Sequence, residues 1–77
     1  MDSNTVKVVK ILGESKEGWT QAADNAVQHA DETIDNINGI KVLEMSADIE
    51  NGKIEEYKTT LEVAFPVIEK KQDKQNL

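Results

Sequence analysis

Seventy-seven residues suffice for one small hydrophobic core and leave no room for a second domain. Nine Lys and Arg against fifteen Asp and Glu give a formal net charge of -6, which argues against nucleic acid as a partner, because binding phosphates takes a basic footprint. Hydrophobic residues make up 38%, a modest share for a monomer of this size, and with no cysteine neither disulfides nor a thiolate metal site can make up the difference. The short apolar runs exclude a membrane-spanning helix, and the amino terminus lacks the apolar stretch of a signal peptide, so a cytoplasmic location is expected.

The first periodic segment, Thr5 to Leu12, holds Val6, Val8, Val9, Ile11 and Leu12, and this β-branched density followed by Gly13 predicts a strand. Ser15 stands where an N-cap belongs, so a helix is expected to start there. Trp19, Ala22, Ala23, Ala26, Val27, Ala30, Ile34 and Ile37 then recur at steps of three and four as one buried stripe. Its alanines let the helix lie close to whatever it covers. The helix is expected to end within Asn36-Ile37-Asn38-Gly39, where Asn and Gly tolerate a left-handed C-cap.

Ile40 to Glu50 reads as the second strand, with Leu43, Met45, Ala47 and Ile49 alternating on one face. Asn51-Gly52 follows, the strongest short-range hairpin signal. The third strand, Lys53 to Pro66, carries Tyr57, Thr59, Leu61, Val63 and Phe65 on the face the helix would cover, with Pro66 at the strand's end or on an edge. Residues 1–68 are thus read as one domain, and Glu69 to Leu77 as a polar, mobile tail. A strand of this length spans about 48 Å, whereas a compact chain of this size is only about 30 Å across. The hairpin is expected to project and to be covered by further copies of the chain, since a bare two-stranded ribbon is marginal in water.

Little in the sequence points to catalysis. His29 is the single histidine, and neither a nucleophile with its base nor a phosphate-cradling glycine loop is present. Asp31, Thr33 and Asp35 have the alternate spacing of an EF-hand loop, but Val42 stands where the bidentate Glu belongs, so they fit a solvated helix face better. Glu44, Asp48 and Glu50 on one strand, or Glu55, Glu56 and Glu62 on the next, could gather around calcium or magnesium only if several copies met. Lys41 and Lys58 are ordinary exposed strand residues that an interface or lumen could turn toward an anion. Trp19 more often seals a core or subunit contact than stacks on a ligand.

The assembled β-α-β-β pattern resembles the dodecin family. The resemblance rests on Gly13-Glu14-Ser15-Lys16-Glu17-Gly18-Trp19, Ala22-Ala23-Asp24-Asn25-Ala26, Ala30-Asp31-Glu32-Thr33-Ile34-Asp35-Asn36 and Leu61-Glu62-Val63-Ala64-Phe65, and it spans about Val6 to Val67. It implies an α+β fold, a three-stranded antiparallel sheet wrapped around one helix, assembled as a hollow homododecamer that stores small ligands without turning them over. Flavins (FMN, FAD or riboflavin) are the ligands the family name implies. Their ring is stacked by a tryptophan that opens strand two and bonded by a glutamine that follows a strand-three tyrosine. Here Gly39 and Lys58 stand at those positions, beside Tyr57. A stack is worth about 1–3 kcal/mol, so its loss weakens flavin by roughly ten- to a hundredfold. The departures are similar to a subgroup linked to calcium instead, with a purely structural shell as the further alternative; Glu44, at an acidic family position beside the pocket, would be the first ion or ribityl contact, and Asp48 would join it as a metal ligand. Twelve copies would together carry a charge of about -72.

Overall fold

The computed structural model describes residues 5–67 as β1 (Val6–Ser15), α1 (Trp19–Asp31), β2 (Gly39–Glu50) and β3 (Lys53–Pro66). The expected tail, Glu69 to Leu77, lies outside the described residues. The three strands form one antiparallel sheet in the order β1-β3-β2, so the last strand of the sequence is the central one. Val6↔Pro66 begins the β1–β3 register, which puts Pro66 at the end of a central strand rather than on an edge.

The elements form in the expected order, with three shifted boundaries. β1 runs past Leu12 to Ser15, because Gly13, Glu14 and Ser15 find ladder partners in Thr59, Lys58 and Tyr57. Ser15 is therefore not the N-cap. Its Oγ accepts the Glu17 N–H at 2.9 Å and tightens the turn into the helix, while the first helical bond runs from the Ala22 N–H to the Gly18 carbonyl at 3.0 Å. α1 also ends at Asp31 rather than within Asn36–Gly39. The N–H groups of Thr33 and Ile34 both converge on the Ala30 carbonyl, Asn36 takes a left-handed φ of 65°, and the Asn38 N–H reaches the Ala64 carbonyl at 3.0 Å. Returning the chain to β3 takes precedence over extending the helix through β-branched Thr33 and Ile34. Ile37, expected on the helical stripe, packs on the core from this connection.

On β2 the expected alternation breaks at Leu43. Val42 pairs with Leu61 and Glu44 with Thr60, which makes Leu43 the extra residue of a bulge, and a second irregularity lies between Asp48 and Ile49. At the second irregularity the extra residue is Glu55 on β3, so on β2 only Leu43 lacks a ladder partner. The hairpin turn is as expected, with φ of 53° at Asn51 and 76° at Gly52, the positive pair a type I′ turn demands.

The helix lies over β1 and β3. Its contact surface is alanine, and the closest approach is at Gly13. A Cβ there would collide with the Ala22 carbonyl oxygen and come within 2.8 Å of the Ala26 Cβ. Ala22, Ala26, Leu61 and Val63 are buried, with Ile11, Ala23, Val27 and Ile37 packed around them. This core is small for the sheet that carries it. The radius of gyration is 16.7 Å and the extents are 60 × 19 × 17 Å, against about 11 to 12 Å expected for a compact chain of this length. The long hairpin projects, as its strand lengths required. No helix among the described residues is long and apolar enough to cross a membrane.

Gly13→Ala is expected to force the helix off β1 and to destabilise the fold by about 1–3 kcal/mol, the usual cost of overpacking. Urea denaturation followed by tryptophan fluorescence measures it. Gly18→Ala is the control, because its added Cβ meets nothing within 4 Å.

Candidate functional site

The chemistry-bearing side chains divide between the two faces of the sheet. Residues paired directly across antiparallel strands share a face, and the buried Thr59, Leu61 and Val63 mark the side that α1 covers. Tyr57 lies on that side, two residues from Thr59 and opposite Ala47. Its ring meets Trp19 edge to face, with centroids 4.8 Å apart and planes at 83°. Trp19 is anchored twice more. Its indole Nε1–H donates to the Ser46 carbonyl at 2.8 Å, and the buried Thr59 hydroxyl donates to the Trp19 carbonyl at 2.9 Å. The first residue of the helix thus ties β2 to β3, a structural contact as the sequence suggested.

Lys58, Glu44 and Asp48 lie on the outer side. Lys58 has Glu14 opposite it on β1 and Ser46 on β2, and its Nζ reaches the Asp48 Oδ2 at 3.2 Å. One step along, Asp48 pairs with Glu56, whose carboxylate takes the Lys16 ammonium at 3.3 Å. Glu44 stands opposite Thr60 and is exposed. Farther along, Glu62 lies between Lys10 and Lys41 in the same cross-strand row. The outer face is a checkerboard of charge rather than an acidic patch. Among the described residues no three acidic or histidine side chains of one chain converge on a point.

Gly39 opens β2 opposite Ala64, six residues along β3 from Lys58 and so about 20 Å away. Nothing lies within 4 Å of the Cβ a side chain would add there. The structure thus joins Lys58 to Asp48 and leaves Gly39, Tyr57 and Glu44 apart within the single chain. Gly39 and Lys58 can face one ligand only if they come from different copies. The sequence reading did not foresee the Lys58–Asp48 contact. Once the hairpin register is known, this contact follows from the pairing of Ser46 with Lys58, which sets Asp48 one diagonal step away.

A sequence profile described as Dodecin matches residues 5–68. The chain belongs to the dodecin family. A curated relative, calcium dodecin of Mycobacterium tuberculosis, is 42% identical over 60 residues, covering 77% of this chain and 83% of its own length. Among solved structures, the dodecin of Streptomyces coelicolor superposes with a TM-score of 0.84 at 29% identity, covering 90% of this chain and 99% of its own. Dodecin of Streptomyces davaonensis gives 0.83 at 31%, covering 88% and 100%. The crystal structure of the calcium chelating antigen calcium dodecin from Mycobacterium tuberculosis gives 0.73 at 36%, covering 95% and 99%. The β-α-β-β order, the three-stranded sheet and its single helix are those of this dodecin fold.

Lys58→Gln is expected to change stability by less than about 1 kcal/mol, since a pair with Asp48 more than half exposed is well solvated. Among the described residues Thr59→Val removes the only side-chain partner of the Trp19 carbonyl, from a site that is 1% exposed, and is expected to cost about 1–2 kcal/mol. Comparing the two urea midpoints ranks them.

Proposed function

We propose that this dodecin is a non-enzymatic subunit of a homododecameric shell that sequesters a divalent cation, calcium before magnesium, with Glu44 and Asp48 as ligands. The observation that carries the reading is Gly39. A flavin needs a flat aromatic platform where strand two opens, and this chain presents a glycine with open space around it. Trp19, at the other end of the helix, is committed to Tyr57 and to the Ser46 carbonyl.

Calcium takes six to eight oxygen ligands, more than one chain gathers, so the site draws on several copies. The exposed Glu44 and the half-exposed Asp48 supply carboxylates on the outer face. Net charge favours cation uptake as copies accumulate. The calcium dodecin of Mycobacterium tuberculosis, by its name, supports the same class of ligand. In this reading Asp48 exchanges the Lys58 ammonium for the ion, so Lys58 competes with the cation rather than contributing to the site.

Flavin sequestration at Gly39, Lys58, Glu44 and Tyr57 is the second reading, and membership of the dodecin family is what favours it. Titration separates the two. Calcium is expected to raise the melting temperature of the wild-type protein, Glu44→Gln to abolish the rise, and Lys58→Gln to enlarge it. Riboflavin fluorescence is expected to remain unquenched at micromolar protein. Gly39→Trp, whose Cβ meets nothing within 4 Å among the described residues, is expected to gain quenching by roughly ten- to a hundredfold in affinity. Strong quenching by the wild type with no calcium response would overturn the first reading in favour of the second.

A further inference from the structure

The sequence holds two Asn-Gly pairs, Asn38-Gly39 and Asn51-Gly52, and both asparagines are exposed. Asn-Gly is the pair most open to spontaneous deamidation, because glycine puts no Cβ between its backbone nitrogen and the preceding side-chain amide. The structure separates the two. Asn38 is held on both sides: Ile37 before it packs on the core, and Gly39 after it is paired with Ala64, whose carbonyl also accepts the Asn38 N–H at 3.0 Å. Turning the Asn38–Gly39 peptide toward the Asn38 side chain therefore pulls the start of β2 off β3. Asn51 and Gly52 form the two-residue loop of the hairpin, both with positive φ. Behind the loop stand two ladder pairs, Glu50↔Lys53 and Ile49↔Ile54, before Glu55 interrupts the register, and all four residues are exposed. Among the described residues the Asn51 side-chain amide makes no hydrogen bond, whereas that of Asn25 is held by Gln21 and the Glu14 carbonyl.

We propose that Asn51-Gly52 is a covalent modification site, where the chain deamidates through a cyclic imide, and that the fold shields Asn38-Gly39 from the same reaction. The Gly52 nitrogen gives up its proton to solvent base and attacks the Asn51 Cγ. A new N–C bond closes the ring as the Cγ–Nδ2 bond breaks, and the side-chain nitrogen takes a proton from water and leaves as ammonia. Water then opens the ring at either carbonyl, with no change in oxidation state, and leaves aspartate or isoaspartate. Attack requires the peptide to swing out of the type I′ turn, so the rate follows local opening. Loop tips and fraying ends open at little cost, whereas residues tied into a core open at free energies closer to that of global unfolding. The two products then diverge. Aspartate keeps an Asp-Gly loop, itself a type I′ sequence, and adds one negative charge to a chain of net charge -6. Isoaspartate routes the main chain through the side-chain carbon, which lengthens a loop whose two residues fix the register. Glu50↔Lys53 and Ile49↔Ile54 are then lost.

Cleavage after lysine puts the two pairs on separate peptides, residues 17–41 and 42–53, so mass spectrometry follows each one. The full chain is aged in mildly alkaline buffer, once folded and once in urea. In urea both pairs are expected to convert at similar rates, because both are Asn-Gly. In the folded protein, Asn51 is expected to show the one-dalton gain at least about tenfold faster than Asn38, the factor being set by their difference in opening free energy. An isoaspartyl carboxyl methyltransferase is expected to label the aged wild type, and Asn51→Gly, which keeps residues that accept positive φ in the loop, to reduce labelling to the level of fresh protein. Equal rates at the two sites in the folded protein, faster conversion at Asn38, or a folded protein that stays unmodified while the urea sample converts would overturn the proposal. The site-resolved rates come from the wild type, so they decide the matter even if Asn51→Gly fails to fold.

Discussion

A helix of thirteen residues is about 20 Å long, and the central strand beneath it has fourteen residues and spans about 48 Å. One helix cannot cover such a sheet, and the rest of the molecule follows from that mismatch. Where the helix lies, Thr59, Leu61 and Val63 are buried; where it does not, β2 is exposed along almost its whole length. Nine large hydrophobic residues are left exposed among the described residues, against Ala22, Ala26, Leu61 and Val63 in the core. Within the single chain, that distribution keeps much of the sheet's apolar surface in water.

The close seat of the helix makes the imbalance workable. Alanines at the contact bury little area each, so the helix holds on through proximity, with Gly13 as the point of nearest approach. Trp19 adds what the alanines cannot, an aromatic contact with Tyr57 and two hydrogen bonds that bind the helix start to β2 and β3. The anchored end of α1 fixes the narrow part of the molecule. The other end leaves an open groove between β1 and α1.

The same division organises the candidate ligand chemistry. Tyr57 faces inward and is spent on structure, whereas Lys58, Asp48 and Glu44 face outward and stay accessible. A single residue step along a strand reverses its face, so neighbours in sequence serve opposite purposes. Among the described residues no three acidic or histidine side chains of one chain converge, so a single outer face collects fewer ligand atoms than a calcium ion takes.

The order of elements, the Asn51-Gly52 turn, the full extent of β3 and the projecting hairpin were legible in the sequence, because turn chemistry and two-residue periodicity are local properties. So was the outward placement of Glu44 and Lys58, which needs only the strand pattern. The length of β1, the early end of α1 and the bulge at Leu43 were not. Each results from partners distant in sequence: Thr59 to Tyr57 extend β1, Ala64 draws the chain back through Asn38, and the pairing of Val42 with Leu61 and Glu44 with Thr60 expels Leu43. The sequence by itself determined which segments would be strands, helix and turn, and that the hairpin would outreach its core. Tertiary structure alone decided which edge strand the helix covers and which it leaves exposed, because strand order depends on long-range pairing that no local preference encodes.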